Sequence, residues 1–248
     1  MEYPNIEVGG PATSWIGRAF VNRFLSNFSN EIDFISFHEY ADTVYITLSS
    51  DLNQALTSCH QYNANCSRII LSEWNTYSSF IKNVSSNISQ YGSNIALGYT
   101  NMLDNYPSNV SMLLYQWSEQ YKYSNTQYYP EYPQLWSMVS EPQLDNAYYP
   151  PYNVTSDFAH YHSARDIVVS SSSNNGNIFV VASKNSTGQV DITVISNSTS
   201  NVSVTIGLSG ALIGNFNALE DLRTGTTYSI SGGSVNMGAL QQYDVKHY

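Results

Sequence analysis

Four short apolar runs recur along the first half of the chain, and each closes on polar residues. They are Ile6-Glu7-Val8-Gly9, Asp33 to Tyr40, Arg68 to Glu73 and Val110 to Trp117. Between them lie stretches with helical spacing. Thr13 or Ser14 can cap a helix running to about Ser26, with Ile16, Ala19, Phe20, Arg23, Phe24 and Asn27 in step. The apolar members of that set are expected to face the core. Ser50-Asp51 can cap a second helix carrying Leu52, Ala55 and Leu56. Asn87 to about Asp104 reads as a third, with Ile88, Tyr91, Ile95, Leu97, Tyr99 and Met102. A repeat of strand then helix every 30–40 residues is the period of βα units, which implies a parallel sheet.

Within this frame the run Arg68-Ile69-Ile70-Leu71-Ser72 suits a strand covered by helices on both sides, and it ends in Glu73-Trp74-Asn75. A carboxylate at the C-terminal end of a parallel strand is where α/β folds place their chemistry. The plain alternative is a glutamate that only ends a strand. The turn Gly9-Gly10-Pro11-Ala12 has neither the phosphate-loop nor the dinucleotide spacing.

Beyond the fourth run, residues 120–152 are rich in Tyr, Pro, Gln and Asn and read as a long loop, with one helical turn around Gln134–Val139. A last helix is expected from Asn153 to about Arg165, with Val154, Phe158 and Tyr161 on one side. After Asp166 the pattern changes to short β-rich runs at Ile178–Ala182, Val190–Ile195, Val202–Ile206 and Gln242–Val245, separated by Gly-containing turns. This is the pattern of an antiparallel β-sandwich. The expected organisation is therefore an α/β domain over residues 1–166 and a C-terminal β-sandwich over 167–248.

Charge excludes some functions. A net charge of −10 and a pI near 4.7 repel phosphate backbones, so nucleic acid is not an expected partner. No run of 18 apolar residues is present, so no membrane span is expected. Nine Asn-x-Ser/Thr sequons begin at Asn27, Asn65, Asn83, Asn87, Asn109, Asn153, Asn185, Asn197 and Asn201, most of them in expected loops or turns. Cys59 and Cys66, the only two cysteines, fit a small disulfide-closed loop better than a zinc site, and neighbouring His60 does not change that. No metal or cofactor is expected. These features point to an extracellular or cell-surface glycoprotein. Met1-Glu2-Tyr3-Pro4 shows no leader pattern, so the export signal is expected on another stretch of polypeptide.

With these residues laid out, the chain resembles the C-terminal half of clan-A retaining glycoside hydrolases, most closely family 39, the β-xylosidase/α-iduronidase family. Val8-Gly9-Gly10-Pro11-Ala12 looks like the fifth strand of a (β/α)8 TIM barrel and its loop, and Phe37-His38-Glu39-Tyr40 like the end of the sixth. Leu71-Ser72-Glu73-Trp74-Asn75 looks like the seventh, and Tyr115-Gln116-Trp117-Ser118 like the eighth. The resemblance implies strands 5–8 of a barrel followed by a β-sandwich, a carbohydrate substrate, and Glu73 as the nucleophile. His38, Tyr40, Asn75 and Trp117 are then candidates to bind sugar or orient Glu73, and Trp74 to stack on a sugar face. The motif that carries the family's acid/base, on the fourth strand, does not precede residue 5.

Retaining hydrolysis needs two carboxyls about 5–5.5 Å apart. Glu39 and Glu119 are the other acidic strand-end residues. The expectation is thus a hydrolase subunit or fragment whose acid/base and strands 1–4 come from a second polypeptide. The competing expectation is a non-catalytic cell-surface, filament or glycan-binding protein on a degenerate glycosidase scaffold.

Overall fold

The computed structural model describes residues 6–41, 44–62, 64, 68–76, 88–105, 110–114, 117–119, 137–139, 150–162, 166–210 and 216–248. The chain divides into two compact units, Met1–Ser86 with Asn105–Tyr149, and Asn87–Asp104 with Pro150–Tyr248.

The first unit alternates strand and helix: β1 (Gly9–Thr13), α1 (Arg18–Phe28), β2 (Phe34–Ala41), α2 (Val44–Gln61), β3 (Arg68–Thr76) and β4 (Val110–Leu114). The four strands form one parallel sheet in the order β1-β2-β3-β4, as the βα period requires. β1 starts three residues later than the sequence suggests. Gly9 pairs with Phe34 so closely that a Cβ there would sit 2.3 Å from the Phe34 carbonyl oxygen, so the position needs glycine. α2 starts well before Ser50-Asp51, so these residues lie inside the helix and do not cap it. The core stripe of α2 is Leu48, Leu52, Ala55 and Cys59, at helical spacing.

α1 departs further from expectation. Its buried residues are Val21 and Leu25, with Ile16 buried just ahead of it, whereas Phe20 is 58 % exposed and Ala19 is also exposed. Of the residues expected to face the core, Ile16 is buried and Phe24 half-buried, while Ala19 and Phe20 meet solvent, because the helix also carries apolar Val21 and Leu25 on a second face.

The expected helical turn at Gln134–Val139 is replaced at its end by a strand, β6 (Ser137–Val139), which pairs parallel with β5 (Trp117–Glu119). The rest of the 120–149 segment lies outside the described residues.

In the second unit, α3 (Ile88–Asn105) and α4 (Pro150–Tyr161) accompany eight strands among the described residues. They are β7 (Ile167–Val169), β8 (Ile178–Lys184), β9 (Val190–Ser196), β10 (Val202–Gly207), β11 (Ala218–Glu220), β12 (Thr227–Ser229), β13 (Ser234–Leu240) and β14 (Val245–His247). An antiparallel sheet β14-β9-β8-β7 shares one apolar core with the pairs β10-β13 and β11-β12. Ile178, Ile192, Val194, Leu219, Val235, Met237 and Tyr248 meet there. β7, β11, β12 and β13 were not expected from sequence, and the expected Gln242–Val245 run is mostly turn.

β9 is buried from Asp191 to Ser196 because its other side is covered too. Ser93 of α3 donates to the Ser196 carbonyl at 3.2 Å. His162, just past α4, reaches Ser183 Oγ at 2.8 Å through Nδ1 and Thr193 Oγ1 at 2.7 Å through Nε2. Thr193 Oγ1 also contacts His247 Nδ1 at 2.8 Å. His247 Nε2 lies 3.2 Å from Asp157 Oδ2 without a hydrogen bond, and Arg223 donates to that same oxygen. Burial pushes His162 down to about 4 and His247 down to about 3, so both rings are neutral at pH 7.

Candidate active site

Three side chains converge at the C-terminal end of the parallel sheet. The Tyr40 hydroxyl donates to Glu73 Oε2 at 2.8 Å, and His38 Nδ1 lies 3.3 Å from the same oxygen. Glu73 and His38 keep 37 % and 21 % of their side-chain surface exposed, so the carboxylate is held on one oxygen and open to a ligand.

A bulge creates this arrangement. β2 and β3 run in register from Phe34↔Arg68 to Phe37↔Leu71, and the next pair is His38↔Glu73. Ser72 is the extra residue, and its hydroxyl sits 3.4 Å from the Phe37 carbonyl oxygen. In an unshifted register Ser72 would pair with His38 and Glu73 with Glu39, and Glu73 would point to the opposite face, because strand side chains alternate. Burial follows the same phase change: Ile69, Leu71 and Trp74 are buried, while Ser72 and Glu73, adjacent in sequence, are both half-exposed. Bulges re-aim side chains in this way beside functional sites.

The opposite face holds Glu39 and Trp74. Glu39 is 4 % exposed, and its carboxyl is raised to about 8, first by burial and then by a hydrogen bond and charge repulsion from Asp51 of α2. It therefore faces α2 and not Glu73, which removes it as a partner carboxyl. Trp74 is fully buried and cannot stack on a ligand. Asn75, the register partner of Tyr40, is fully buried. Trp117 contributes backbone to β5, and its side chain lies outside the described residues, as does the expected eighth-strand end at Tyr115-Gln116. Glu119 is likewise described only through the backbone of β5.

Among the described residues no cluster of His, Cys, Asp or Glu could hold a metal ion, and no helix is long and apolar enough to cross a membrane. Cys59 is buried near the end of α2; Cys66 lies outside the described residues. Of the sequons, Asn27 and Asn201 are exposed and Asn153, Asn185 and Asn197 half-exposed, while Asn65, Asn83, Asn87 and Asn109 fall outside the described residues. Asn27 and Asn153 lie on helices, not in loops.

No protein-family model matches the chain, and no curated protein does. Solved structures do. A monomeric β-xylosidase from Caulobacter crescentus CB15 matches with a TM-score of 0.63 and 15% identity, over 98% of this chain and 61% of that one. A family 39 glycoside hydrolase from Bacteroides cellulosilyticus WH2 matches at 0.58 and 14%, over 94% and 47%. A family 44 xyloglucanase from Paenibacillus polymyxa matches at 0.58 and 13%, over 92% and 50%. The chain thus spans about half the length of the solved structures it resembles. At this identity the likeness concerns the fold alone; the solved structures it resembles are TIM-barrel glycosidases, family 39 being one family among several.

Proposed function

We propose that this chain is the nucleophile-bearing half of a retaining glycoside hydrolase: strands 5–8 of a (β/α)8 barrel in residues 1–166, followed by a β-sandwich in 167–248. The observation that carries the reading is the placement of Glu73. A bulge turns its carboxylate onto the face of His38 and Tyr40, at the strand end where barrels do their chemistry.

In this reading Glu73 Oε1 attacks the anomeric carbon of a bound glycoside, forming a glycosyl ester as the leaving-group oxygen departs with a proton from an acid. Water, deprotonated by the same group acting as base, then cleaves the ester with a second inversion. The Tyr40 hydroxyl holds Oε2, aims Oε1, and stabilises the carboxylate when it leaves. His38 lies beside the same oxygen, within reach of a sugar hydroxyl. In this reading the acid/base comes with strands 1–4 of the barrel, in the same chain or a second one, as the resemblance implies. Secretion, N-glycosylation and a Cys59–Cys66 bridge belong to the same proposal.

Kinetics of Glu73→Ala in the complete protein test the assignment. Turnover falls by at least about 10³-fold, as for loss of a covalent nucleophile, and added azide restores product as a glycosyl azide of inverted anomeric configuration. Unchanged turnover would remove Glu73 as the nucleophile, whereas no turnover in the unaltered complete protein would favour the second reading, a non-catalytic glycan-binding or surface protein on the same scaffold. The observation on that side is that Glu39, at the end of the neighbouring strand, faces α2 and not Glu73.

A further inference from the structure

The end of β2 is fastened differently from the rest of the strand. From Phe34 to Phe37 it is laddered on both edges, to β1 and to β3. The β1 ladder stops at Thr13↔Phe37, so among the described residues His38 to Ala41 pair with β3 alone. Yet this one-sided stretch carries both side chains that meet Glu73 Oε2, His38 at 3.3 Å and Tyr40 at 2.8 Å. Glu39 stands between them, and alternation along the strand sends it to the other face. There it is buried and hydrogen-bonded to Asp51 and Thr47 of α2.

A carboxyl is a costly way to hold a strand to a helix. Burial penalises its charge, and an apolar side chain of similar volume holds such a position at least as firmly. What the carboxyl adds is direction: a hydrogen bond fixes two atoms within a few tenths of an ångström, whereas apolar packing lets the strand end slide. Among the described residues the charged group that faces Glu39 is Asp51, from α2; Thr47 adds a hydroxyl, and β3 presents the uncharged Trp74 in register. Two carboxyls in contact share a bond only while one of them keeps a proton. Burial first, and then Asp51, pushes Glu39 up to about 8, so at neutral pH Glu39 donates and Asp51 accepts.

We infer that Glu39 is a positioning residue: its bond to Asp51 anchors the one-sided end of β2 on α2, and so holds Tyr40 and His38 against the Glu73 carboxylate. For catalysis this rests on Glu73 as the nucleophile; the anchor itself does not. When Glu39 loses its proton, two buried carboxylates repel and the strand end parts from α2. Tyr40 then leaves Oε2, and Glu73 loses the bond that aims it. The nucleophile thereby acquires an alkaline limit of its own, separate from the ionisation of the acid/base.

The test separates attack by Glu73 from protonation of the leaving group. A 2-deoxy-2-fluoro glycosyl fluoride, in its xylosyl, glucosyl or galactosyl form, releases fluoride without an acid, so its labelling rate follows the nucleophile. In the complete protein that rate is expected to hold to about pH 7.5 and to fall about tenfold by about pH 9, as for one group ionising near 8. Glu39→Gln keeps a donor to Asp51, and Asp51→Asn gives Glu39 a partner in either protonation state, so both stay level over that range. Glu39→Ala, folded by circular dichroism, labels at least about tenfold more slowly at neutral pH. A level wild-type profile, or a fall that survives in Glu39→Gln, overturns the inference. Carbon-13 NMR of the His38 ring, identified by its loss in His38→Asn, decides without any chemistry. Its resonance moves as pH passes about 8 in the wild type and not in Glu39→Gln; an unmoved wild-type resonance overturns the inference. No label at any pH, with that movement present, sinks the nucleophile and supports the anchor, so the two failures are separable.

Discussion

Single residues decide how the parallel strands meet. Gly9 has no room for a side chain, since its Cβ would strike the Phe34 carbonyl oxygen and ring. Gly9→Ala should therefore force β1 away from β2 and cost about 1–3 kcal/mol, the usual penalty of overpacking. Urea titration of the purified protein checks this; a loss below about 0.5 kcal/mol would mean that β1 yields without cost. Tyr40 is the second such residue. Removing its hydroxyl in Tyr40→Phe deletes one hydrogen bond to a carboxylate, worth about 1.5–3 kcal/mol. The expected outcome is a fall in kcat of roughly 10- to 100-fold with a smaller change in KM. A change confined to KM would move Tyr40 from the nucleophile to the substrate.

At the scale of elements, the strand–helix alternation could be read from sequence because its signal is strong: apolar runs of strand length, separated by stretches at helical spacing. α3 matches the expected limits within a residue, and β8, β9 and β10 lie where alternating runs placed them. What was missed has physical causes. β13 reads Ser-Val-Asn-Met-Gly-Ala-Leu, and its alternation breaks at Gly238, where φ is 75° and the register with β10 shifts. β11 and β12 are three residues long, too short for a period. α1 was misread because it has apolar residues on two faces, and sequence cannot say which face is covered by this chain. Glu73 and Tyr40 could be found as strand-end polar residues, but the Ser72 bulge that joins them could not, because no glycine or other turn residue announces it. Glu39 looked like a partner for Glu73 for the same reason: its orientation depends on strand phase.

The elements also titrate in opposite directions. His162 and His247 are neutral and buried, with folded values below their ordinary 6.5. The unfolded chain then binds more protons below 6.5, so their contribution to stability is complete above 6.5 and is lost as pH falls toward 4 and 3. Glu39 is the reverse. Its folded value is about 8 against an ordinary 4.5, so its contribution is complete below 4.5 and is lost as pH rises through 8. Hydrogen exchange should show α4 and β9 opening first in acid, and β2 and α2 first in mild alkali. Glu39→Gln should flatten the alkaline limb and leave the acid limb unchanged; an unaltered alkaline limb would refute the carboxyl-pair account.

For the whole molecule the proposed reading is chemical: Glu73 acts as a nucleophile, and its acid partner is supplied from elsewhere. That division of labour provides a direct measurement. A 2-deoxy-2-fluoro glycosyl fluoride carries a leaving group that needs no protonation, so it reports attack by the nucleophile with little help from the acid/base. The fluorine slows hydrolysis of the ester, and the adduct accumulates. The complete protein is incubated with xylosyl, glucosyl and galactosyl reagents, and the product is analysed by intact mass and peptide mapping. The account predicts one glycosyl unit, from at least one reagent, on the peptide containing Glu73, and none in Glu73→Gln. A glycosyl unit on a different carboxylate, or no adduct from a preparation that hydrolyses the matching aryl glycoside, would contradict it.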